Sequence, residues 1–107
     1  MKKGHIMIIV LVTFKIPEHI DLDLIKEKFL ETAPLYQETK GLLRKNYIAD
    51  IEDHTAGGIY CFDTRENAKS WFDADRIAWL TDRYSAPNVR YFDNPVIVDN
   101  QHGKIVS

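Results

Sequence analysis

Apolar residues fill nearly every position from Ile6 to Phe14, without the alternation of a half-covered strand. Such a run predicts a β-strand covered on both faces, with Ile6, Ile8, Val10 and Val12 on one side and Met7, Ile9 and Leu11 on the other. The period then changes. Asp21 is placed to cap a helix in which Leu22, Ile25, Phe29 and Ala33 recur at helical spacing while Lys26, Glu27 and Glu31 are left for solvent. Pro34 is expected to kink or restart that helix, and Gly41 to end it in the left-handed conformation.

Leu42 to Ile51 reads as a second strand, and Glu52 to Thr55 as a connection. Ala56-Gly57-Gly58 then opens a third strand, Ile59 to Phe62, so the pair forms a hairpin. Asp63 precedes Glu66 by the spacing of a helix-start cap, and Ala68, Trp71 and Phe72 give the second helix its apolar stripe. Arg76 to Tyr84 continues as a shorter helical piece up to Pro87. Val89 to Phe92 forms the last strand, and Val96 to Asp99 is extended again.

Strand, helix, strand, strand, helix, strand is the βαββαβ order of the ferredoxin-like plait, an α+β fold with an antiparallel sheet and both helices on one face. Two helices cover one face only, whereas the first strand is apolar on both. A second copy of the chain is the simplest cover for the other face, so the pattern predicts a homodimer. The apolar Val96–Asp99 tail is expected to cross to the partner.

Composition narrows the classes without choosing among them. The chain has 107 residues, 45% hydrophobic and 28% charged, and no linker or repeat, so residues 1–107 read as a single domain. A net charge of −2 with scattered lysines and arginines argues against a nucleic-acid or membrane-surface partner. Lys2 and Lys3 before the apolar run imitate a secretory signal. The β-branched content and the missing small-residue cleavage site point instead to a strand in a cytoplasmic protein. Cys61 stands alone, which excludes an internal disulfide, and is expected in the core.

Three stretches, GLLRKNYIAD, AGGIYCFDTRENAKSWF and FDNPVIVDN, resemble the YdhR-type putative monooxygenases, a branch of the dimeric α/β-barrel superfamily. The resemblance implies a homodimer that holds a small aromatic ligand between sheet and helices. It also implies cofactor-independent oxidation of a phenol- or quinol-like substrate. The alternatives are an isomerase of the same superfamily and a dimer that binds a small hydrophobic ligand without transforming it. No dinucleotide-binding or phosphate-binding glycine motif and no histidine pair at metal-ligand spacing occurs, in keeping with no cofactor and no metal.

Arg44 and Asn46, two apart on one strand, are candidates to hold a phenolate or carbonyl oxygen; the plainer reading is a salt bridge and a solvated amide. Tyr47 and Tyr60, with Trp71 and Trp79 from the helical side, are candidate walls for a planar ligand, or else core. Tyr36 is placed at the mouth of the same cavity. His54 is a base if its loop folds over the pocket and a turn histidine otherwise. Haem degradation lacks its axial histidine on the second helix. RNA binding lacks the basic and aromatic residues of the recognition-domain pattern.

Overall fold

The structure, a computed structural model, describes residues 7–107; Lys2, Lys3 and Ile6, read above from the sequence, lie outside the described residues. Strand β1 spans Met7–Lys15, helix α1 Leu22–Gln37, β2 Leu42–Asp50 and β3 Thr55–Phe62. Helices α2 (Arg65–Trp71) and α3 (Ala74–Arg83) precede β4 (Asn88–Asn94), and a short hairpin of β5 (Ile97–Asp99) and β6 (Lys104–Val106) closes the chain. The main sheet is antiparallel in the order β2-β3-β1-β4, so the most apolar strand is internal, as the plait requires.

Alternation along β1 divides the two faces. Ile8, Val10, Val12 and Phe14 are buried beneath the helices with Tyr60 and Phe62 of β3 and Ile25 and Phe29 of α1. Met7, Ile9, Leu11 and Thr13 are only half-buried and look out from the other face. Ile59 and Phe92 join them there, each 38% exposed, so an apolar strip runs across a sheet face that no described helix covers.

Several boundaries move from those expected, each for a local reason. Pro34 neither breaks nor restarts α1, which runs on to Gln37; the helix forgoes only the one N–H bond that would reach back to the Leu30 carbonyl. The helix closes on Glu38, whose N–H bonds to Leu35 and Tyr36 carbonyls, so Gly41 does not terminate it. Gly41 does take φ +80°, but in the turn into β2, where a Cβ would stand 2.5 Å from both Asp63 Oδ1 and Asn67 Nδ2.

Strand β3 starts at Thr55 and includes both glycines. Gly57 pairs with Thr13 and Ile48, and Gly58 with Val12 and Tyr47. Helix α2 is capped by Thr64, whose hydroxyl accepts from the Asn67 N–H at 3.0 Å; the carboxylate of Asp63, the expected cap, accepts instead from the Asn67 side chain at 2.9 Å. Asp73 caps α3 by accepting from the Arg76 N–H at 2.8 Å, which starts that helix two residues early. The tail is not a lone strand: Ile97 pairs with Val106 and Asp99 with Lys104. Val98 and Ile105 remain 64% and 72% exposed on that hairpin.

Candidate functional site

Position parity on β2 decides which side chains meet the helices. Lys45, Tyr47 and Ala49 face them, with Lys45 opposite Tyr60 and Tyr47 opposite Gly58. Arg44 and Asn46 fall on the other face opposite Cys61 and Ile59. The bulge between Leu42 and Arg44 sets this phase.

Tyr36, Tyr47 and Tyr60 form a three-sided box around the Lys45 side chain. Its Nζ lies 3.4 Å from the Tyr36 ring centre, 3.7 Å from Tyr47 and 4.5 Å from Tyr60. Glycine makes this possible, since a Cβ on Gly58 would stand 2.9 Å from Lys45 Cε. Among the described residues no carboxylate bridges to the amine. Burial therefore disfavours its charged form and pulls Lys45 down to about 6. The negative faces of the rings act in the opposite direction and soften that shift.

The tyrosines are tied to one another and to α1. The Tyr36 and Tyr60 hydroxyl oxygens are 3.5 Å apart, and Tyr47 Oη lies 2.8 Å from Thr32 Oγ1. Thr32 gives its single hydroxyl proton to the Phe29 carbonyl at 3.1 Å, so Tyr47 is the donor to Thr32. Desolvation raises all three phenols above their usual value, Tyr47 to about 12. Near neutral pH they are hydrogen-bond donors and not bases.

The box continues inward as a cavity of about 10 Å³ lined also by Phe14, Phe29, Trp79 and Tyr84, room for a single water. Outward it meets an open groove of about 440 Å³ bordered by Tyr36, Gln37, Leu43, Arg44 and Lys45. Lys45 thus stands between interior and surface.

Of the residues singled out in the sequence, Tyr36, Tyr47, Tyr60 and Trp79 come together at this cavity. Trp71 stands behind it, edge-on to Tyr36 at 5.5 Å and stacked under the Arg76 guanidinium at 3.8 Å. Arg76 also lies 4.9 Å from Trp79, so it links the two tryptophans. Arg44 borders the groove but spends its Nε on Asn46 Oδ1 at 3.2 Å, and both are exposed on the uncovered sheet face. They do not converge with the tyrosines, because residues of even and odd number leave a strand on opposite sides.

Cys61, expected in the core, shares that uncovered face beside Arg44 and is half-buried. His54 occupies the β2–β3 turn at φ +50° and is not among the cavity's lining residues. Lys45, at the centre of the box, has no counterpart among the residues singled out in the sequence. Its signal was parity with Tyr47, one strand repeat away.

A family model described as "Putative mono-oxygenase ydhR" matches residues 9–93 of the chain. This protein belongs to that family. Among solved structures, it is similar to one described as a putative antibiotic biosynthesis monooxygenase from Bordetella bronchiseptica, with 16% identity and a TM-score of 0.63 over 81% of this chain and 95% of that one. At that identity the likeness is one of fold, and it bears out the ferredoxin-like α+β architecture. No curated protein matches the sequence. No described helix is long and apolar enough to cross a membrane.

Proposed function

We propose that this member of the ydhR family is a cofactor-independent monooxygenase that oxidises a small phenol- or quinol-like aromatic held between sheet and helices. The observation that carries the reading is the box of Tyr36, Tyr47 and Tyr60 closed by a carboxylate-free lysine and open to a groove wide enough for an aromatic ring. In this reading the substrate ring takes the place of the Lys45 stem among the tyrosines, and Lys45 swings toward the groove on its flexible chain.

The amine, freed from the box and solvated at the groove, then accepts the phenol proton and leaves an ammonium paired with a phenolate. The phenolate passes an electron to dioxygen, and recombination of the two radicals forms a carbon–oxygen bond. The ammonium returns its proton to the peroxide so formed. Loss of water, which carries that proton and the ring hydrogen, gives a quinone with one oxygen atom on the ring and the other in the water. The substrate itself supplies the electrons. Trp79 forms the back wall, and Trp71 with Arg76 holds Tyr36 in place.

The partner in this reading is a second copy of the chain. The half-exposed strip of Ile9, Leu11, Ile59 and Phe92 supports pairing through the uncovered sheet face, and the apolar β5–β6 hairpin supports a further contact.

The test is oxygen uptake by the purified protein, in chelator and without added flavin, across a panel of phenols and quinols. Uptake matched one to one by quinone absorbance is expected. Binding without uptake across the panel would instead establish a carrier.

A further inference from the structure

The Lys45 amine differs from the other lysines in its surroundings. It is enclosed on three sides by ring faces, makes no ion pair among the described residues, and borders a groove through which a small molecule can reach it. Lys15, Lys40 and Lys104 are exposed. We propose that Lys45 is a covalent capture site for small aromatic aldehydes and ketones, which it binds as an imine. This goes beyond oxygenation and needs no part of that chemistry.

The step balances without an oxidant or reductant. The nitrogen lone pair adds to the carbonyl carbon, and the carbonyl oxygen takes up the proton that leaves nitrogen, giving a carbinolamine. Its hydroxyl then departs with the second N–H proton as water, and a carbon–nitrogen double bond remains. Attack requires the unprotonated amine, the form that burial favours here at neutral pH. The aromatic part of the ligand has Tyr36 and Tyr47 to lie against, and the Tyr36 hydroxyl, paired only across 3.5 Å to Tyr60, is a donor for the carbonyl oxygen.

The titratable groups facing the amine are Tyr36 from α1, Tyr47 from its own strand and Tyr60 from β3, while Tyr84 beyond α3 lines the same cavity. All four are held neutral by burial, so none supplies a counter-charge that would keep the lysine protonated. Arg76 and Arg83 of α3 act on Tyr36 and add further positive charge to that side.

The full chain is incubated with benzaldehyde and sodium cyanoborohydride at pH 7, 8 and 9, digested, and mapped by mass spectrometry for benzyl-lysine. Hydride from the reagent fixes the imine as a stable secondary amine. At pH 7 Lys45 is expected to be labelled at least about tenfold faster than Lys15, Lys40 and Lys104. Because hydride reduces the protonated imine of every lysine alike, the ratio of Lys45 labelling to theirs is the readout, and it should fall about tenfold per pH unit from pH 7 to 9. Labelling of Lys45 no faster than the exposed lysines, or with their pH slope, overturns the proposal. The readout contains no oxygen uptake, so the oxygenase reading and this one fail separately.

Discussion

Lys45 Nζ sits 3.4 Å from the centre of the Tyr36 ring, so a strand side chain and a helix side chain meet through a nitrogen over a π face. The contact links stability to pH. Between about 6, the folded value, and the ordinary 10.5, the unfolded chain holds a proton on this lysine that the folded one lacks. Stability therefore rises with pH across that window, by at most about 1.4 kcal/mol per pH unit. Above pH 10.5 the sign reverses, because Tyr47, pushed up to about 12, keeps its proton folded after losing it unfolded. The urea midpoint is predicted to be higher at pH 8.5 than at 6.5 and to fall beyond 10.5. Lys45→Met should abolish the rise and leave the fall; equal midpoints at 6.5 and 8.5 in the wild type would contradict the burial of the amine.

Gly57 lies where two strands approach too closely for a side chain. A Cβ there would stand 1.8 Å from the Val12 carbonyl oxygen, a backbone atom that cannot yield without parting β1 from β3. Gly57→Ala is predicted to cost more than about 2 kcal/mol in urea unfolding. Gly58→Ala presses on the flexible Lys45 stem and one ring edge of Tyr60 and meets backbone, the Asn46 carbonyl oxygen, only at 3.4 Å, so it should be milder. The reverse order of the two would show that the register of β3 is not as described.

The uncovered sheet face gives a prediction about assembly. Ile59 projects from it between Leu11 and Asn46, 38% exposed in the single chain. Sedimentation velocity should give a dimer for the wild type and a folded monomer for Ile59→Glu, since burying a carboxylate between two stacked sheets costs its hydration. A wild-type monomer at micromolar concentration would remove the second copy from the account.

Much of the fold was legible because its signals are periodic. The change from the β run of residues 7–14 to the spacing of Ile25 and Phe29, then back to strand, gives the plait order directly. Boundaries were less legible where two residues compete for one role. Thr64 caps α2 although Asp63 has the better-known spacing, and Asp73 rather than Arg76 marks the start of α3. The β6 strand was missed because three residues paired only to β5 leave no periodic trace.

Half of the site was legible in the same sense. Tyr36, Tyr47, Tyr60 and Trp79 were picked for their flat apolar surfaces and do share a cavity. Arg44 and Asn46 were picked for their hydrogen-bonding chemistry, against the parity that placed Tyr47 on the opposite side from both. Lys45 was overlooked because a lysine between an arginine and an asparagine looks solvated. Only the three-dimensional meeting with glycine and three rings reveals it as half-buried and enclosed.

In the proposed reaction the ligand-handling face of β2 is the side of Lys45 and not the side of Arg44. That placement is tested most directly by measuring oxygen uptake, with the most active phenol or quinol of the panel, for Lys45→Met and Arg44→Ala beside the wild type. Lys45→Met is predicted to lose at least about a hundredfold in rate with its fold intact by circular dichroism, the scale of a missing proton acceptor. Arg44→Ala is predicted to stay within about threefold, as for an exposed side chain away from the reaction. Loss of activity in Arg44→Ala with Lys45→Met unimpaired would contradict the account.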